Sequence, residues 1–235
     1  MTPVVYTQIP RIDPALIDRA AQISVADLHE GLGAITGRQA LMSPQMRALF
    51  PEAQICGQAV TTFNYPGDNL MLHAAAKVAE PGDVIVATNG GSAQGALWGD
   101  MITFFAKLRG LGGAVIYGAA RDSSRVKTLG FPVFSTAVSV SHPEKRGPGS
   151  VNVPMVVDGV LVNPGDLIRA DEDGVLVVPP EYLEAAMDNA EARAAKEQAF
   201  RDQLTTGKTM FDLLGLQTDM DRAGVQWVDG TWQDR

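Results

Sequence analysis

The sequence predicts an α/β fold with a mixed sheet, a central βαβ unit and a C-terminal helical extension, and three observations predict it. "DVIVAT" at 83–88 and "GAVIYG" at 113–118 are short apolar runs on either side of a helical stretch, the signature of parallel strands buried on both faces. From 153 to 179, "VPMVVDGVLVNPGDLIRADEDGVLVVP" alternates strand-like runs with Asp-Gly and Pro-Gly-Asp turns, which reads as a β-meander. Residues 180–204 are rich in Ala, Glu and Arg and place Leu183, Ala186 and Met187 at helical spacing.

Taken in order, residues 13–32 read as helical, with Pro14 inside the first turn after Asp13, Ser24 and Asp27 as a capping pair for a second short helix, and Gly31 and Gly33 ending it. "GQAVTTFNY" at 57–65 is a strand, after which Pro66-Gly67-Asp68 opens a helix through Val78 that stops at Pro81-Gly82. The strand at 83–88 is followed by "NGGSAQGALWG", eleven residues with four glycines, and then by the helical "DMITFFAKLRG". The strand at 113–118 completes the βαβ unit. A short helix at 122–130 and a strand in "FPVFSTAVS" precede the meander. The tail, 205–235, is polar and carries Trp227 and Trp232.

The chain's 235 residues, 46% of them hydrophobic, suit one large domain or a domain with an appendage. A formal charge of −8 without a Lys/Arg cluster argues against nucleic-acid and anionic-membrane partners, so an anionic substrate needs local positive groups. One cysteine, Cys56, excludes an internal disulfide framework and a Cys-rich zinc site; it fits a reducing cytoplasm and reads as a small core residue. No leader-like or membrane-spanning apolar run occurs, so a soluble cytoplasmic protein is expected.

A right-handed βαβ crossover brings the carboxyl ends of its two strands to one edge of the sheet, where open α/β sheets bind ligands. The 89–99 loop leaves one strand there and Arg121-Asp122 leaves the other. Asp100 and Asp122 each stand at a helix start, where a carboxylate commonly caps. Together with helix-start N–H groups and an arginine suited to carboxylates, the two acids also make a place for a hard divalent cation and an anionic substrate. His29, His73 and His142 have no metal-ligand spacing and read as structural. The glycines of 90–99 match neither nucleotide-binding pattern, and no Gly-x-Ser-x-Gly elbow occurs. Lys107 and Lys127 are the lysines expected nearest the site, on polar helices that offer a Schiff-base amine little desolvation.

"GGSAQGALWGD", "GAVIYGAARD" and "GDLIRADEDGVLVVP" together resemble the RraA-like family over roughly residues 20–185. The long C-terminal extension resembles its 4-hydroxy-4-methyl-2-oxoglutarate / 4-carboxy-4-hydroxy-2-oxoadipate aldolase branch, metal-dependent enzymes of aromatic-compound catabolism that release pyruvate. The resemblance implies a layered α/β/β catalytic domain over 1–185, a helical extension over 186–235 at a subunit interface, and a homotrimer or homohexamer. It also implies site roles. Arg121 matches the arginine that grips the pyruvyl carboxylate and carbonyl, and Asp122 the direct ligand of Mg²⁺ or Mn²⁺. Gly99, Asp100, Met101 and Ile102 match the segment whose amides bind the carboxylate, and the Asp100 side chain matches an acid holding a metal-bound water. Glu197 is assigned as an acid reaching the metal's water from a neighbouring subunit, and Glu30 as an outer-shell acid.

The implied chemistry is a class II retro-aldol cleavage of a 2-oxo acid, with oxaloacetate decarboxylation through the same enolate. A rival reading comes from family members described as protein inhibitors of an endoribonuclease, which need a surface and not a metal-binding carboxylate.

Overall fold

Local signals place the first elements, in a computed structural model that describes residues 2–234. Helix α1 (Pro14–Ala20) has proline in its first turn, and the Asp13 carboxylate accepts from the Ala15 amide. Helix α2 (Val25–Gly31) is capped by Ser24, whose hydroxyl accepts from Asp27 N–H at 3.0 Å. A third helix, α3 (Ala34–Ala40), follows where the sequence indicated only a stop at Gly33; Gly33 occupies its cap with φ 81°. After the two-residue β1 (Arg47–Ala48) come β2 (Ile55–Phe63), α4 (Leu70–Val78), β3 (Val84–Thr88), α5 (Asp100–Leu108), β4 (Gly113–Ala120), α6 (Ser123–Leu129) and β5 (Val133–Val138). The chain then forms β6 (Ser150–Val151), β7 (Met155–Val157), β8 (Val160–Val162), β9 (Leu167–Asp171), β10 (Gly174–Val178) and α7 (Pro180–Leu204).

The main sheet runs β1-β5-β4-β3-β2-β9-β10, with β6 also on β2. Strands β2 to β5 are mutually parallel, whereas β1, β6 and β9 add antiparallel to them and β10 pairs antiparallel with β9. The expected meander divides: β7 and β8 make a separate two-stranded hairpin, and only β9 and β10 join the large sheet. The reason is long-range. Residues 55–58 of β2 offer an edge to β9, a partner that no local pattern in 153–179 announces.

Strand alternation explains the layering. Ile85, Ala87, Ala114 and Ile116 face α4, α5 and α6 through Leu72, Ala75, Ile102, Ala106 and Val126. Val84, Val86 and Val115 face the other way and pack with Val157, Val160, Ile168, Val175 and Val177 of the antiparallel strands. This is an α/β/β arrangement. The far side of β9–β10, through Leu167, Leu176 and Val178, is covered by α1, α2 and the first half of α7, with Leu183, Ala186 and Met187 buried as the helical spacing predicted. Cys56 packs beside this cluster, and burial pushes its thiol up to about 11.

The chain divides into a compact unit through Glu191 and another from Ala192. Within the second, Thr209 and Asp212 form a capping box on α8 (Met210–Leu213), α9 (Gln217–Arg222) follows, and Trp227 meets Phe211 edge-on at 5.7 Å. No helix among the described residues is long and apolar enough to cross a membrane.

Candidate active site

The parallel register of β3 and β4 brings the 89–99 loop against the end of β4, as the βαβ geometry requires. Leu97 N–H donates to Ala119 O and Arg121 N–H to Trp98 O, both at 2.9 Å, which stitches the two segments together. Trp98 anchors the loop: it is buried, stacks on Phe131 at 5.9 Å, and donates from Nε1 to Thr103 Oγ1 at 2.7 Å. Gly99 then crosses the Arg121-Asp122 pair so closely that a Cβ would lie 3.1 Å from Arg121 Cγ and 3.2 Å from Asp122 Oδ2. Close approach, and not a turn conformation, favours glycine there, since its backbone is extended at φ −162° and a Cβ would press on the two side chains.

Helix α5 begins at Asp100 with Gly99 in the cap position, and its first amide paired within the helix is Thr103 N–H, to Gly99 O. The preceding amides lie at the positive end of the helix, where an anion is favoured. Asp100 is therefore not the cap. Its carboxylate accepts from Arg125 Nη1 at 3.0 Å, and this contact holds its pKa below the usual carboxylate value. Met101 is exposed, whereas Ile102 turns its side chain into the core while its amide stays at the helix end.

Asp122 corrects the simple capping expectation. It stands before α6 but has φ 54° and ψ 34°, and its side chain makes no capping bond to the helix. The carboxylate turns instead to Arg121, whose Nε donates to Oδ2 at 3.1 Å. A left-handed backbone at a non-glycine residue is tolerated best by Asn and Asp, and here it releases the carboxylate from the helix end. Asp122 also interacts directly with the Asp100 carboxylate.

A cavity of about 270 Å³ opens at this edge, lined by Gly99, Asp100, Met101, Ile102 and Arg121 together with Asn69, His73, His142 and Lys145. The first five share the sheet edge that the βαβ geometry predicts, and the other four have no sequence signal in that unit. His142, whose spacing suggests only a structural role, places Nδ1 3.2 Å from Arg121 Nη1. Lys145, not Lys107 or Lys127, is the lysine at the cavity; Lys107 reaches away to Leu129 O. His73 has its pKa lowered by partial burial and by the nearby charge of Lys145. One signal for His142 and Lys145 was available: β5 is also parallel, so the loop after it must open on the same edge.

That loop is fastened to the start of α4. Asp68 accepts from Leu70 N–H at 2.8 Å and Gly147 N–H at 2.7 Å and also from Arg146 N–H, while Glu144 N–H donates to Gly67 O. Burial alone would raise the Asp68 pKa, but these amide donors outweigh it and hold it low.

Glu30 lies on α2, which packs on β9 and β10, and is not among the residues lining the cavity. Glu197 lies in the second unit on α7, where it pairs with Arg193 at 3.1 Å and Arg201 at 3.4 Å.

The donor set can be tested against a metal. Asp100 and Asp122 supply hard carboxylate oxygens at this edge, while His73 and His142 add imidazole nitrogens to the cavity wall. Among the described residues no three His, Cys, Asp or Glu side chains converge, so a closed zinc-type site is absent. The set fits Mg²⁺ or Mn²⁺ held by one or two carboxylates with most of its water retained. Of two other grooves, one of about 430 Å³ is lined without Arg or Asp, and one of about 470 Å³ brings Arg11, Asp18 and Asp83 to the start of α1 but has Arg11 and Asp83 bonded to each other.

Comparison with known proteins decides the family. The sequence profile of the RraA-like family, described as Aldolase/RraA, matches residues 25–177. The chain belongs to the RraA-like family. A relative from Halalkalibacterium halodurans, provisionally named a 4-hydroxy-4-methyl-2-oxoglutarate aldolase, is 35% identical over 175 residues, covering 74% of this chain and 80% of its own. Another of the same provisional name, from Aromatoleum aromaticum, is 33% identical and covers 69% of this chain and 99% of its own. Among solved structures, Streptomyces coelicolor RraAS2, described as an unusual member of the RNase ES inhibitor RraA protein family, superposes with a TM-score of 0.76 at 31% identity, covering 83% of this chain and 99% of its own. The RraA-like fold is thus shared by relatives with enzyme names and relatives with inhibitor names.

Proposed function

We propose that the protein is a class II pyruvate aldolase, dependent on Mg²⁺ or Mn²⁺, that cleaves 4-hydroxy-4-methyl-2-oxoglutarate or 4-carboxy-4-hydroxy-2-oxoadipate to pyruvate plus pyruvate or oxaloacetate. The observation that carries this reading is the Asp122 carboxylate, which is turned off its helix and toward Arg121 and Asp100 beside the start of α5. The aldolase names of the relatives support it.

The pyruvyl carboxylate is bound by the amides at the start of α5, in the segment Gly99 to Ile102, and by the Arg121 guanidinium. A water ordered by Asp100 and Arg121 takes the proton of the C4 hydroxyl. As that oxygen becomes a carbonyl, the C3–C4 bond breaks and its electron pair passes into the pyruvate enolate. Arg121 stabilises the negative charge where it develops, and a proton is finally added at C3. Asp122 would hold the cation directly, and Asp100 and Glu197 would hold it through water, Glu197 from a neighbouring subunit, with Glu30 in an outer shell. When bound, the cation supplies Lewis-acid stabilisation of the same charge. Loss of CO₂ from oxaloacetate produces the same enolate, so decarboxylation is expected from this site. The exposed apolar side chains of α5, Met101, Phe104, Phe105 and Leu108, support self-association, and the family resemblance makes that assembly a homotrimer or homohexamer.

Pyruvate release from oxaloacetate is the test, measured with Mg²⁺, after EDTA, and after Mg²⁺ is restored. Activity that follows the metal supports the aldolase. Metal-independent activity trapped by borohydride points to an imine at Lys145 and overturns the class II assignment. A protein inert toward all 2-oxo acids returns the function to the inhibitor class of RraAS2.

A further inference from the structure

We propose that His142 is a positioning residue for Arg121, an inference that rests on the aldolase reading above. The contact between Arg121 Nη1 and His142 Nδ1, at 3.2 Å, has only one chemically permitted sense. A guanidinium donates and cannot accept, so Nδ1 carries no proton and the ring is the neutral Nε2–H tautomer. Arg121 is thereby held at two points before any ligand arrives, through Nε on Asp122 and through Nη1 on His142. Its planar fork keeps Nη2 for a carboxylate, in an orientation already chosen.

His142 can do this because its own backbone is anchored. The Asp68 carboxylate collects the amides of Arg146 and Gly147, Asn69 N–H donates to Glu144 O at 3.0 Å, and the Ser141 carbonyl accepts from Ala96 N–H at 2.9 Å. The segment carrying His142 is thus tied both to the start of α4 and to the glycine-rich loop. The imidazole is exposed, so it adds little to folding, and the bond's value lies in the order it gives Arg121 before binding.

The role predicts a loss of both binding and turnover through Arg121. His142→Ala raises KM for oxaloacetate and weakens pyruvate binding by about three- to tenfold, and lowers kcat as well because Arg121 also stabilises the developing enolate. His142→Asn places an amide oxygen where Nδ1 stood and restores these values, whereas His142→Gln, which mimics Nε2, does not. A ¹⁵N-histidine spectrum of the wild type shows His142 unprotonated at Nδ1. If the Ala variant keeps the wild-type KM, loses kcat alone, or is rescued by Gln and not by Asn, the positioning role is wrong. Protonation at Nδ1 overturns it as well. A wild-type protein that turns over no 2-oxo acid refutes the aldolase reading and this role with it; an active wild type with an indifferent Ala variant refutes only the role.

Discussion

Two arginine–aspartate pairs stand at opposite ends of the parallel strands, and their difference separates scaffold from site. At the amino end of β3, the buried Asp83 takes both Nη atoms of Arg11 on its two oxygens and also accepts Glu80 N–H at 2.7 Å. Glu80 adds a second acid to the same guanidinium at 2.9 Å. At the carboxyl end of β4, Arg121 reaches Asp122 through Nε alone, at 3.1 Å, and the Asp122 side chain remains 27% exposed. The first carboxylate has used its accepting capacity on the fold. The second accepts one charged donor, makes no helix-capping bond and keeps accepting capacity for a further ligand.

Substitution should exaggerate that contrast. Asp122→Asn is expected to lower metal-dependent turnover by about a hundredfold or more while leaving the melting temperature nearly unchanged, because no helix cap is lost. Steady-state kinetics and a thermal melt on the same sample check it; a large fall in melting temperature would make Asp122 a structural residue like Asp83. The reciprocal change, Asp83→Asn, is expected to cost about 1–3 kcal/mol in denaturant unfolding and to leave kcat and KM as they were. Loss of activity without loss of stability would erase the distinction.

The smallest effect concerns His73. Its folded pKa is depressed, whereas the unfolded chain protonates histidine near its ordinary value of about 6.5. Below that pH the unfolded state binds more protons, so stability falls as the solution is acidified. His73→Gln should therefore lose less melting temperature between pH 7.5 and 5.5 than the wild type. An identical loss would mean that the cavity wall does not desolvate the ring.

What the sequence made legible was local in origin or followed from handedness. "DVIVAT" and "GAVIYG" announced parallel strands by apolar continuity, and the crossover rule then placed Arg121 beside the 89–99 loop. The Pro180–Leu204 helix was legible from composition and spacing. Helix α3 was not, because Gly33 and Gly37 interrupt its seven-residue neighbourhood and read as breakers. The division of the meander depended on the free edge at Ile55–Gln58, a pairing more than a hundred residues away in sequence. In the site, Arg121, Asp122 and Asp100 share one supersecondary unit, whereas His142 and Lys145 arrive on the loop after β5, and Asp68 fastens that loop from before α4. Side chains meeting across such separations leave no spacing pattern to find.

The environment of Trp98 has an optical consequence. The chain has three tryptophans: Trp98 is 1% exposed, while Trp227 and Trp232 are 69% and 84% exposed. Emission from Trp98 should lie to the blue and resist aqueous quenchers that silence the other two. Its indole is bonded to Thr103 within α5 and its carbonyl to the Arg121 amide, so the protected fluorescence originates one peptide bond from Gly99. The fold thus contains its own fluorophore at the threshold of the cavity, able to register the arrival of a small acid without any label.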